Sequence, residues 1–203
     1  MPIPTTAPHP AESLILARIP AAVRQRAARV QLMVFDVDGV LTDGTLFFDG
    51  RGESVKPFNV RDGLAIGLLR AHGVLTGVLS GRDSAPLQYR IEQLKFDIAV
   101  TGRLEKLDAY SAIKRERGLA DSEIAYVGDD VVDLPLAGLA GRFYAPADAH
   151  PLVLARADHV VSAEGGRGVA REVAEHLLLS DGLDLESAYQ PLIDQWQRYQ
   201  AAQ

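Results

Sequence analysis

A chain of 203 residues, 47% hydrophobic and 24% charged, carries enough apolar side chain for one domain with a sizeable core. Its net charge of −6 argues against nucleic acid as the main partner, and the lack of cysteine excludes disulfides, thiolate metal sites and a Cys nucleophile. No apolar run approaches the ~20 residues of a membrane helix, so the chain reads as cytoplasmic, with no membrane partner.

Residues 1–29 read as an N-terminal extension. The start is Pro-rich and lacks the pattern of a secretory signal, and a helical pattern then runs from Ala11 to Val30, broken at Pro20. Leu32-Met33-Val34-Phe35 is an unbroken apolar run, as a parallel strand covered on both faces requires. It leads directly into Asp36-Val37-Asp38-Gly39. Open α/β sheets carry their chemistry at the carboxyl ends of strands. Two acids there repel each other unless a cation or a shared proton offsets the repulsion, so a metal site is the first expectation.

Residues 44–58 read as a β-hairpin flap, with Asp49-Gly50-Arg51-Gly52 as its turn. Phe47 and Phe48 are expected on opposite faces, one of them needing cover from outside the hairpin. Asn59-Val60-Arg61-Asp62-Gly63 then opens a helix that ends near His72-Gly73. A second strand, Val74–Leu79, stops at Ser80-Gly81-Arg82, and a helix from Ser84 to Gln93 carries Arg90. After a third strand, Phe96–Val100, an amphipathic helix from Leu104 to Arg117 is expected to turn Leu107, Tyr110, Ala112 and Ile113 inward.

The fourth strand, Ile124–Val127, again runs into acids: Gly128-Asp129-Asp130-Val131-Val132-Asp133. Short strands at Arg142–Ala145 and Asp158–Val161 follow, then Gly165-Gly166-Arg167-Gly168 and a helix from Val169 to Leu179. Residues 182–203 read as a polar tail carrying Trp196, a candidate lid. The alternation predicts an α/β fold, a doubly wound parallel sheet over residues 30–181. Neither gap between the strand ends holds a separate cap domain of ~50 residues, so a neighbouring subunit's hairpin is the expected cover.

In a right-handed parallel sheet the four strand ends lie on one edge, which brings Asp36, Asp38, Ser80, Lys106, Asp129, Asp130 and Asp133 together. Carboxylates with a hydroxyl and an ammonium, and no His or Cys ligands, suit a hard cation, Mg²⁺ above all. A carboxylate nucleophile with Mg²⁺ and Lys is the equipment of phosphoryl transfer. A calcium loop fits poorly, because Val40 stands where such a loop needs an oxygen ligand. A phospho-acceptor receiver domain would carry the acids in the reverse order.

The pattern DxDGVLTDG, then SGR, a Lys and GDDxxD resembles the haloacid dehalogenase-type phosphatase superfamily, whose fold is Rossmann-like. The resemblance implies Asp36 as nucleophile, Asp38 as general acid/base, Ser80 and Lys106 on the phosphoryl group, and Mg²⁺ held by Asp36, Asp129 and the Asp38 carbonyl. Asp130 and Asp133 would support the ligands from behind. Asn59–Gly63, Ala147-Asp148-Ala149-His150-Pro151 and Gly165–Gly168 further resemble the 3-deoxy-D-manno-octulosonate 8-phosphate phosphatases of lipopolysaccharide synthesis, which are tetramers. That resemblance implies a small phosphorylated sugar acid as substrate, contacted by Asn59, Val60, Arg61, Asp62, Gly63, Arg82, Arg90 and Lys106. Family members often carry an Arg where this chain has Gly67. A phosphatase for nine-carbon keto sugar acid phosphates, or a non-catalytic sugar-phosphate-binding or oligomerising module, remain as alternatives.

Overall fold

The apolar run at 32–35 forms strand β1 (Leu32–Phe35), buried on both faces as its composition requires. The computed structural model describes residues 30–201; the expected extension, residues 1–29, lies outside the described residues. After β1 come the hairpin strands β2 (Phe47–Asp49) and β3 (Gly52–Val55), helix α1 (Val60–Ala71), β4 (Leu75–Leu79), α2 (Ala85–Leu94) and β5 (Ile98–Val100). The chain continues through α3 (Lys106–Arg117), β6 (Ile124–Val127), α4 (Leu134–Ala137), β7 (Arg142–Ala145), α5 (Pro151–Leu154), β8 (His159–Val160), α6 (Val169–Ser180) and α7 (Leu185–Ala201).

Six strands pair in the order β5-β4-β1-β6-β7-β8, every pair parallel. The chain moves outward from β1 through β4 and β5, then returns to lay β6 on the other side. The reversal makes the carboxyl ends of β1 and β6 a topological switch point, where ligands of such sheets bind. Alternate residues of β1 face opposite layers. Met33 and Phe35 pack with α1, α2, α6 and α7, whereas Leu32 and Val34 pack with Tyr110 and Ile113 of α3 and Leu136 of α4. The architecture is the doubly wound α/β sheet with a hairpin flap. No helix among the described residues is long and apolar enough to cross a membrane.

Three local features differ from the sequence-based expectation. Helix α3 turns Lys106, Tyr110 and Ile113 inward, while Leu107 is 42% exposed. The helix is rotated because the Lys106 ammonium has acidic partners inside, which hydrophobic periodicity does not register. In the flap, the register shifts between Phe47 and Phe48, and both rings stand exposed, neither covered by the rest of the described residues. Residues 185–201, expected as a polar tail, are helical and bury Ala188 and Leu192, four residues apart, against α1 and α6. Burying a Leu side chain contributes roughly 1.5–3 kcal/mol, which holds α7 on the body of the protein.

Candidate active site

Asp36 follows β1 and Asp129 follows β6, so adjacent parallel strands deliver the two acids to one edge; the Asp36 amide donates to the Val127 carbonyl at 2.9 Å. Asp36 is buried. Its Oδ1 accepts from the Val37 amide at 2.7 Å and its Oδ2 from Lys106 Nζ at 2.6 Å. Lys106, itself buried, also reaches Asp133 Oδ1 at 2.5 Å. Asp133 is saturated: Oδ1 further accepts from Tyr126 Oη at 2.7 Å, and Oδ2 from the amides of Asp129 at 3.0 Å and Asp130 at 3.2 Å. Asp133 thereby fixes both the ammonium and the turn that carries Asp129.

The third acid is the one left open. Asp129 Oδ1 is buried and has no hydrogen-bond partner among the described residues. Gly39, at φ +86°, lies so close that a Cβ there would fall 2.0 Å from Asp129 Oδ2, so the Asp36–Gly44 turn and Asp129 meet only because Gly39 has no side chain. Carboxylate oxygens of Asp36, Asp129 and Asp133 lie within 4.8 Å of one another. Because the Asp133 oxygens are committed, Asp36 and Asp129 are the pair with capacity for a cation.

Burial and neighbouring charges together set the pKa values. Burial raises the Asp36 carboxyl to about 7, with Asp133 adding repulsion and Lys106 opposing both. Burial also raises Asp129 to about 8, reinforced by Asp36 and Asp133. For Lys106, burial works to lower the pKa, but the two adjacent carboxylates prevail and raise it. Three carboxylates against one ammonium leave two negative charges uncompensated, which a divalent cation would balance.

Asp38 stands apart from this cluster. Its Oδ1 pairs with the ammonium of Lys56, the residue after β3, which sequence reasoning passed over as part of the flap. Ser80, at the end of neighbouring β4, is fully buried, and its Oγ accepts from the Arg82 amide at 3.1 Å. Arg82 is exposed at this edge.

The residues expected on substrate divide into two groups. Arg61 and Val60 are exposed at the start of α1. Asn59 caps that helix, accepting from the Arg61 amide at 2.9 Å, and its Nδ2 donates to the Gly166 carbonyl at 3.0 Å. Asp62 is buried and turned to α6, where it accepts from the Arg171 amide at 3.2 Å. Arg90 donates to the Asn59 carbonyl at 3.0 Å and stacks on Phe58, and its guanidinium lies where a Cβ on Gly63 would come within 3.0 Å. Asp62 and Arg90 therefore hold the Asn59–Gly63 segment in place from inside.

Asp130 is exposed and caps the following 3₁₀ turn through the Val131 amide at 2.7 Å. Gly67 faces α7, with Leu192 Cδ1 3.7 Å from where its Cβ would lie, an ordinary contact distance.

The remaining motifs brace the site's backbone. The Gly166 amide donates to the Val40 carbonyl at 3.0 Å, and a Cβ on Gly165 would lie 2.3 Å from the Gly39 carbonyl oxygen. Asp148 accepts from the Gly165 amide at 2.9 Å, and the His150 amide donates to the Asp129 carbonyl at 2.8 Å. Tyr126, on Asp133, and Lys56 are the site-edge residues that motif spacing did not reveal.

No family model matches the chain. It is 41% identical over 160 residues to the 3-deoxy-D-manno-octulosonate 8-phosphate phosphatase of Haemophilus influenzae, which spans 79% of this chain and 89% of that protein. Identity to the Escherichia coli K12 protein of the same name is 38% over 164 residues, spanning 81% and 87%. Among solved structures, the cobalt-bound H. influenzae phosphatase superposes with a TM-score of 0.76 at 42% identity, covering 78% of this chain and 92% of that one. The Moraxella catarrhalis phosphatase, in complex with magnesium, phosphate and KDO, superposes with a TM-score of 0.75 at 31% identity, covering 78% and 91%. With 41% identity over four-fifths of its length, the chain belongs to the 3-deoxy-D-manno-octulosonate 8-phosphate phosphatase family of the haloacid dehalogenase superfamily.

Proposed function

We propose that this protein is a Mg²⁺-dependent phosphoric monoester hydrolase that converts 3-deoxy-D-manno-octulosonate 8-phosphate to the free sugar acid and phosphate in lipopolysaccharide synthesis. The observation that carries the reading is the buried Asp36–Lys106–Asp133 network beside an unpartnered Asp129 oxygen. The donor set fits the cation: hard oxygens, excess negative charge and one open carboxylate. Asp36, Asp129 and the Asp38 carbonyl would hold Mg²⁺, which supplies charge neutralisation at the phosphoryl oxygens.

The Asp36 carboxylate attacks phosphorus in line, the bond from phosphorus to the sugar oxygen breaks, and Asp38 gives its proton to that oxygen. Water then attacks the aspartyl-phosphate while Asp38 takes its proton. The phosphorus–Asp36 bond breaks, and phosphate and the free Asp36 carboxylate result. Lys106 and Ser80 hold the equatorial oxygens throughout. Arg61, Arg82 and the Asn59 segment would contact the sugar acid, with Arg82 suited by exposure and charge to its carboxylate. Residues 30–181 form the catalytic domain in this reading, in the cytoplasm, with α7 bracing it.

A panel of phosphorylated keto sugar acids compared by kcat/KM tests the substrate. The eight-carbon compound is expected to lead, and preference for a nine-carbon analogue, or no turnover of any, would overturn the assignment. The exposed Phe47 and Phe48 at the flap further support a homotetramer in which a neighbouring hairpin completes the site's cover. Light scattering is expected to give a multiple of the 21.9 kDa chain mass, and a monomer mass would rule the assembly out.

A further inference from the structure

Lys56 is an unusual residue for a flap. It follows an exposed strand end, yet its side chain is fully buried. Burial of an ammonium is costly unless charges surround it, and here two do. Asp38 accepts through Oδ1, and Glu53, on β3 and itself nearly buried, forms an ion pair through Oε1 at 2.8 Å. Burial works to raise the Glu53 carboxyl, but Lys56, Ser84 and Arg82 prevail and hold it low. The flap is thus tied to the site by one cation.

The pair with Glu53 lies within the hairpin, so it is the bond to Asp38 that ties the flap to the site. The bond to Asp38 does something more, because Asp38 lies outside the Lys106–Asp133 network that orients Asp36. Its carboxylate has Lys56 as a fixed partner on Oδ1, and Oδ2 has no hydrogen-bond partner among the described residues. We propose that Lys56 is a positioning residue, whose ammonium holds Asp38 by one oxygen and so presents the other to the leaving-group oxygen. The proposal rests on the reading of Asp38 as general acid/base. It makes proton delivery depend on the flap: a hairpin lifted from the site takes Lys56 away from Asp38.

The test compares two substrates on the same enzyme preparation, so that the ratio of their kcat/KM values is independent of the folded fraction. p-Nitrophenyl phosphate expels a stable phenolate and needs little proton assistance, whereas the sugar phosphate expels an alkoxide and needs it fully. Asp38→Asn is expected to raise the aryl-to-sugar ratio on the order of 10²-fold. Lys56→Met should raise it about tenfold or more, through kcat for the sugar phosphate, as misplacement of a catalytic group does. Lys56→Arg, which keeps a donor and a charge, should restore most of the ratio. Lys56→Gln gives the same reading if Lys56→Met does not fold.

A ratio raised in Asp38→Asn but unchanged in the Lys56 variants overturns the positioning role and leaves Asp38 as acid/base. An unchanged ratio in Asp38→Asn overturns that reading and this proposal together, including when the Lys56 variants move alone.

Discussion

Asp36→Asn is expected to abolish turnover, on the order of 10⁴- to 10⁶-fold in kcat, without loss of the fold. The amide keeps the shape of the carboxylate and one acceptor oxygen for Lys106, so the network around Asp133 survives. What disappears is the anionic oxygen that attacks phosphorus, and neither Lys106 nor Ser80 replaces it. Stability should move the other way. The Asp36 pKa is raised to about 7 in the folded, metal-free protein, above that of an unfolded Asp. A raised pKa means that folding favours the protonated form, so stability is greatest at low pH and falls as pH rises through 7. At pH 8 with a chelator, the neutral Asn avoids that cost, and the variant should melt at or above the wild-type temperature. Added Mg²⁺ should raise the wild-type melting temperature more than that of the variant. Residual activity above about 1% of wild type would remove Asp36 as nucleophile.

The lines of the sheet and its acidic edge are readable in the residues because each rests on a local rule. A four-residue apolar run must be covered on both faces, and acids directly after it must sit at its carboxyl end. The expected convergence of Asp36, Lys106, Asp129 and Asp133 follows from the handedness of parallel crossovers, and they do meet. The features that escaped depend on tertiary contacts. Lys56 looks like any hairpin lysine until Asp38 and Glu53 are placed around it. Arg90 and Asp62 carry charges suited to a ligand, and their bonds to the protein's own Asn59 carbonyl and Arg171 amide show only once the fold is in place. Helix α7 is obscured by its polar composition and by Pro191 in its interior, and only its packing shows Ala188 and Leu192 as a buried stripe. The same helix lies against Gly67 through Leu192.

Asp133→Ala should be the most destabilising single change at this edge. Asp133 is fully buried, and its two oxygens accept from Lys106, Tyr126 and two backbone amides. Truncation strands those donors where water does not replace them, and it removes one of the two carboxylates that pay for burying Lys106. Breaking a buried ion pair by removing one partner costs about 3–5 kcal/mol. For a chain of this size, that lowers Tm by roughly 6–20 °C. Tyr126→Phe removes one of the donors and should cost only about 0.5–1.5 kcal/mol. The order of the two costs separates a hub from a simple sum of hydrogen bonds. The Asp129 amide is one of the stranded groups, so the turn that presents the open carboxylate loosens, and kcat should fall together with affinity for Mg²⁺. Thermal denaturation of both variants, beside a metal titration, checks the account. If Asp133→Ala melts within a degree or two of wild type, Lys106 is balanced by Asp36 alone and the saturated Asp133 is not the hub of the site.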